Sequence, residues 1–242
     1  MVVTRLLEQY SALVLYFTDA VLNERLLVCE NTLRKLQDPT TKVYLQFLDF
    51  ALPIFNGLDK QMQSETSQIH TICKSVIASY TTFVECYLKD EYVEKCPLHE
   101  LRLSDPHNFK DLKNMYFGAA VEATLSQPHS IPPQAVEQFK LKCLDFYIEG
   151  ALQISKRFPF DNKVFQLLEA LDPKVVEAKS VPSLAPLMNY FPLLVSNATL
   201  QKIDTEWRML RSKVSTILAN NPDMTPIKFW VKVSVMTAGD GT

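Results

Sequence analysis

Apolar positions along this chain recur mostly every three or four residues. That is the spacing of one buried helix face, not the alternation of a half-buried strand. The pattern is strongest in residues 36–65, LQDPTTKVYLQFLDFALPIFNGLDKQMQSE. Asp38 followed by Pro39 is a helix start, because a short acceptor side chain caps the first turn and proline gives up only a donor that would go unused there. Tyr44, Leu45, Phe47, Leu48, Leu52, Phe55, Leu58 and Met62 then follow a period close to 3.6. Pro53 removes one intrahelical hydrogen bond, and Gly57 loosens the next turn, so a long, bent, buried helix is expected. Tyr44, Phe47, Phe50 and Phe55 would carry much of its packing.

The same periodicity organises the rest. Val3, Leu6, Leu7, Tyr10, Leu13 and Phe17 predict a first helix over 2–20. Asn23 would cap a second, with Leu26, Leu33 and Leu36 inward. Ser64 or Thr66 would open a fourth, through Ile69, Cys73, Val76, Tyr80, Phe83 and Tyr87. Its β-branched content admits a strand near 76–84, but the sustained helical period favours a helix. Residues 89–107 break the pattern and read as a loop or short extended segment. Asp105-Pro106 would reopen a helix to Leu125. After a second break at 127–133, Pro132 and Pro133 stand at the mouth of a helix bearing Val136, Phe139, Cys143, Leu144, Tyr147, Ala151 and Ile154. A shorter helix over 163–171 is closed by Asp172-Pro173, and the proline-rich stretch 180–192 holds one or two turns. Asn197 would cap a helix with Leu200, Ile203, Trp207, Leu210 and Val214. Asn220-Asn221-Pro222 is a loop, and Thr225-Pro226 starts a last helix through Phe229, Trp230 and Val233.

The expected fold is therefore all-α: an irregular multi-helix domain over 1–236, subdivided if anywhere near 90–107 or 127–133, with 237–242 a flexible tail. No repeat of fixed period appears, which argues against a solenoid.

Composition narrows the function. Hydrophobic residues make up 47% of 242, enough for a sizeable core. Net charge is −2, from 25 basic and 27 acidic residues with no long run of one sign, so there is no polybasic arm or acidic tail. Five glycines leave little for phosphate-cradling loops. The apolar N-terminus carries Arg5 and Glu8 and no small-residue cleavage site, so it reads as an amphipathic helix and not a signal peptide. No apolar run reaches the roughly 18 residues of a membrane span. Five scattered cysteines suit a reducing compartment. Asn197-Ala198-Thr199 is a glycosylation sequon, read as chance in the absence of a secretory signal.

Candidate chemistry is sparse. Cys96, His99 and His107 would give three metal ligands, but a structural zinc site usually takes four in two close pairs; a loop with surface histidines is the commoner arrangement. Glu206 beside Trp207 has the form of a carboxyl with a raised pKa, yet a buried tryptophan flanked by solvated charges is commoner. Arg34, Lys35, Lys202, Arg208, Arg211 and Lys213 are phosphate-contact candidates interleaved with acids. Arg208, Arg211 and Lys213 are the nucleic-acid-binding set singled out. No catalytic or metal residue is assigned, no cofactor is expected, and no small-molecule substrate is evident.

The 36–65 block resembles proteins derived from hAT-superfamily DNA transposons. In such proteins it follows a helix like LLEQYSALVLYF. DFYIEGALQISKRFPFDNKVFQLLEALDP, KIDTEWRML and PIKFWVKV match in the same order, so the resemblance covers nearly the whole chain. It implies the all-helical insertion that interrupts an RNase H-like transposase core. In that family two aspartates lie upstream of the matched region, and a glutamate lies downstream in an SNAxxERxFS-like segment that also belongs to the dimerisation region. Those positions fall outside the matched stretch, as does the BED-type zinc finger. Ser196-Asn197-Ala198 stands in another context and lacks the following Glu-Arg. The resemblance therefore implies a non-catalytic helical domain that interacts with a protein partner, with DNA, or with a second copy through the C-terminal segment, in the nucleus; without it, a cytoplasmic location is expected. The alternatives are a piece of an active transposase or nuclease that needs its flanking segments, and an unrelated helical adaptor.

Overall fold

The described residues hold thirteen α-helices and no β-strand, the all-α class that the periodicity predicts. The structure is a computed structural model of the 242-residue chain. It describes residues 2–24, 26–65, 69–127, 131–193, 197–219 and 224–236.

The first stripe forms two helices, α1 (Val2–Glu8) and α2 (Tyr10–Glu24), parted at Gln9. Asn23 does not cap the next helix. It lies inside α2, where its amide donates to Asp19 Oδ1 one turn back at 3.0 Å. Helix α3 (Leu27–Gln37) opens after Leu26 with no side-chain cap. Helix α4 (Pro39–Met62) starts where Asp38-Pro39 predicts, with Asp38 Oδ1 accepting from the Thr40 N–H at 2.8 Å. Pro53 sits inside it without ending it. Helix α5 (Ile72–Glu85) begins later than expected: Ser64 is not helical, and Thr66 lies outside the described residues. The stretch 76–84 is helix.

Two expectations for the middle of the chain are corrected. Residues 89–107 are not a plain loop, because they contain helix α6 (Asp90–Lys95) and a 3₁₀ turn, Leu98–Glu100. Asp105 does accept the His107 N–H at 3.1 Å, but only a 3₁₀ turn follows, Pro106–Asn108. The helix does not continue because long-range backbone bonds compete for its donors: Lys110 N–H donates to the Tyr87 carbonyl at 2.8 Å and Tyr116 N–H to that of Cys86 at 3.0 Å. Helix α7 (Ala119–Leu125) starts only after Gly118, whose φ of 105° suits glycine. Helix α8 (Pro133–Arg157) opens after Pro132 and ends at Phe158, as predicted.

Helix α9 (Lys163–Leu167) tightens into a 3₁₀ turn, Leu168–Leu171. Asp172-Pro173 closes that segment and also opens a further helix, α10 (Pro173–Glu177), with Asp172 Oδ1 accepting the Lys174 N–H at 2.9 Å. The proline-rich stretch holds one short helix, α11 (Ala185–Met188). Helix α12 (Asn197–Ala219) takes in Asn197 as its first residue, while α13 (Pro226–Ser234) begins at the expected Pro226, capped by Thr225. The loop 220–222 and the tail 237–242 lie outside the described residues.

The chain divides into two compact units. Unit 1 is Met1–Leu58 with Ala78–Phe158, and unit 2 is Asp59–Ile77 with Pro159–Thr242. The divisions avoid 90–107 and 127–133, which both lie inside unit 1. Unit 1 is centred on aromatic rings. Phe47 is buried and meets Phe146 and Tyr147 edge-on at 5.4 and 5.3 Å; Phe83 meets Tyr147 at 5.1 Å. The Tyr147 hydroxyl donates to the Tyr116 carbonyl at 2.6 Å, which satisfies the one polar atom on that ring. Unit 2 packs Val176, Trp207, Val214, Ile217 and Phe229 as its core.

Candidate functional site

Helix α12 carries the most informative surface. At about 100° per residue, Ile203, Trp207, Leu210, Val214 and Ile217 share one apolar face. Trp207, Val214 and Ile217 are buried in the unit 2 core, and Leu210 packs against it. The edges of this face differ in chemistry.

One edge is fastened down. Asp204 receives the Leu184 N–H at 3.2 Å and pairs with Arg208 at 3.4 Å. Its carboxyl is held below the ordinary value by the Ser183 hydroxyl, with the Leu184 N–H and Arg208 adding to the effect. The Trp207 indole N–H donates to the Val181 carbonyl at 3.1 Å. The Arg211 guanidinium donates to the Lys179 carbonyl at 2.9 Å and to the Pro182 carbonyl at 3.3 Å. Asp204, Trp207 and Arg211 together hold the turn before α11. Lys179 takes a positive φ of 55° there.

The other edge is open. Between α12 and α13 lies a groove of about 300 Å³. Ile203, Leu210, Trp207, Trp230 and Val233 line it; Met209 (44% exposed) and Met236 (39% exposed) stand at its mouth. Glu206 and Lys213 also line it and supply its charges. Trp230 is fixed by its indole N–H, which donates to the Leu171 carbonyl at 2.8 Å. Exposed methionines beside aromatic walls make an adaptable apolar surface.

The nucleic-acid set is not gathered on one face. Arg208 and Arg211 are about 60° apart around α12, but Lys213 is about 140° from the first and about 160° from the second. Arg211 is engaged with backbone carbonyls, and Arg208 with Asp204. Lys213 instead borders the groove. Glu206 is 53% exposed and lies 4.0 Å from Lys202.

The other candidates are dispersed. Cys96 is half-buried, His99 pairs with Glu100 at 3.4 Å, and His107 Nδ1 lies 2.9 Å from Asp105 Oδ1. Among the described residues, no group of three or more His, Cys, Asp or Glu is placed to hold a metal ion. None of the described helices is long and apolar enough to cross a membrane. Arg34 and Lys35 lie in the last turn of α3, a favourable place for cations.

Sequence reasoning found Trp207 and the apolar face of α12 but not the groove. The missing wall comes from α13, and no local spacing relates α13 to α12. Comparison with protein-family models, with curated proteins and with solved structures returns no match for this chain.

Proposed function

We propose that this chain is a non-catalytic binding domain derived from the helical insertion of an hAT-type transposase, acting through a protein partner. One observation carries the binding role: the groove between α12 and α13 presents solvent-accessible methionines and tryptophan walls within a charged rim. Exposed apolar concavities of this kind suit a partner's side chains. The origin rests on the ordered sequence resemblance alone, and nuclear location belongs to the same proposal.

The non-catalytic character is supported by what the acids of α12 do. Asp204 is spent on the Leu184 N–H and Arg208, and Glu206 faces the groove rim beside Lys202. A two-metal phosphoryl-transfer site needs carboxylates converging on the same ions. Protein is favoured over DNA as the partner because Arg211 is engaged with backbone and Lys213 lies on another face.

Duplex DNA binding at low salt tests this choice. The expected result is no saturable binding. Saturable binding whose salt slope flattens when Arg208, Arg211 and Lys213 are neutralised together would move the function to nucleic acid.

A further inference from the structure

We infer that the α12–α13 groove takes a single amphipathic helix of a protein partner, running antiparallel to α12, with an acidic residue set against Lys213 and a basic residue set against Glu206. The inference rests on the binding-domain function proposed above and names its ligand.

Three features point to a helix. The groove runs beside α12, so a second helix can lie along it and contact both walls. Its apolar lining, of which Leu210, Trp230 and Val233 are part, is matched by anchors spaced i, i+3 or i+4, and i+7. A cavity of about 300 Å³ is small for a drug-sized ligand but suits a few inserted side chains.

Charge sets the direction. Glu206 and Lys213 are seven residues apart, two turns or about 10.5 Å along α12, on the same side of that helix. A partner helix meeting both needs opposite charges at the same separation. Running antiparallel, it carries its acidic residue nearer its own N-terminus and its basic residue nearer its C-terminus. That order agrees with its own helix dipole; the parallel order opposes it. Lys202 lies 4.0 Å from Glu206, but the two side chains are 70% and 53% exposed, and a surface pair of this kind exchanges readily for a better-placed partner.

The chain offers its own probe. Its two tryptophans, Trp207 and Trp230, both line the groove, so intrinsic emission reports occupancy without a label. The titrant is a designed helical peptide of about four turns with a leucine stripe and a Glu seven residues before a Lys. The control peptide exchanges that Glu and Lys. The expected result is a saturable emission change with the first peptide and binding about tenfold weaker with the second. Met209→Glu, at an exposed position, should abolish binding while leaving thermal unfolding unchanged. Glu206→Lys with Lys213→Glu should reverse the peptide preference.

Equal binding of both peptides, no binding of either, or an unreversed preference in the double variant overturns the inference. So does self-association that Met209→Glu abolishes, which would give the groove to a second copy. DNA binding would defeat the underlying function without altering the peptide titration, so the two failures are distinguishable.

Discussion

The indole N–H of Trp207 donates to the Val181 carbonyl at 3.1 Å, tying the middle of α12 to the turn that precedes α11. The same ring is 3% exposed and forms part of the groove wall. One residue thus joins the unit 2 core to the α12–α13 groove. Trp207→Ala should cost about 3–5 kcal/mol, since a buried aromatic is lost and a cavity remains. Trp207→Phe should cost less but leave the Val181 carbonyl without its donor, at about 1 kcal/mol or more. Denaturant unfolding of both variants checks the order; equal small effects would show that the indole is not core.

Arg208 and Arg211 separate a surface charge from a structural one. Arg211→Ala removes donors to two carbonyls and should cost about 1–2 kcal/mol. Arg208 is 68% exposed, and its i,i+4 pair with Asp204 is screened by solvent, so Arg208→Ala should stay within about 0.5 kcal/mol. Thermal melts of the two variants distinguish them, and a reversal of their order would contradict the structure.

How far the sequence reached follows from these same residues. Trp207 and Val214 are seven apart on an unbroken helical stripe, so their burial could be read from spacing. Asp38-Pro39 and Thr225-Pro226 give helix starts because the capping acceptor and the proline act within one turn; Asp172-Pro173 reads as a stop, yet the same pair also opens α10. Asn23 misled because its amide found Asp19 on the same helix, a local competitor the capping rule does not weigh. The 105–125 stretch misled because its donors go to Tyr87 and Cys86, distant in sequence. The groove escaped for the same reason, since Trp230 and Val233 meet α12 only through the fold. Arg208, Arg211 and Lys213 looked like one patch in a linear list, but helical rotation parts them.

Gly150 sits on α8 against the aromatic core. A Cβ there would lie 2.8 Å from Cε1 and Cζ of Phe83 and 2.9 Å from Cζ of Phe55. Both rings are wedged edge-on against each other at 5.0 Å and cannot swing away cheaply. Gly150→Ala should therefore destabilise by about 1–3 kcal/mol from overpacking. This holds even though alanine gains about 1 kcal/mol of helix propensity. A higher unfolding midpoint for Gly150→Ala would contradict this packing.

Acid should loosen the turn that Asp204 holds. Its carboxyl is lowered from an ordinary 3.8 by the Ser183 hydroxyl foremost, with Leu184 and Arg208 contributing. A lowered folded-state pKa stabilises fully above the unfolded value and is lost as pH falls through the folded one. Stability should be flat above 3.8 on this account and decline below it. Asp204→Asn should flatten part of that decline, read by intrinsic tryptophan emission; an unchanged profile would show that Asp204 does not hold the turn.

Alkali acts on the other unit. Burial, reinforced by Tyr92, pushes the Tyr80 hydroxyl up to about 12, and burial raises Tyr87 and Tyr147 as well. These raised values stabilise the fold fully below an ordinary 10.0, and that stability is lost as pH rises toward about 12. Between those values the native chain should show a smaller ionised fraction of its nine tyrosines than the denatured chain shows at the same pH. A native titration curve that overlays the denatured one between pH 10.0 and about 12 would place these rings at the surface.

We propose that this chain binds and does not cut. The most direct measurement incubates the purified chain with hairpin DNA and Mg²⁺ or Mn²⁺ and resolves the strands on a denaturing gel. Intact hairpin over a long incubation is the predicted result. Metal-dependent nicking that is lost on replacing Asp204 or Glu206 would contradict the account and place a catalytic site on α12.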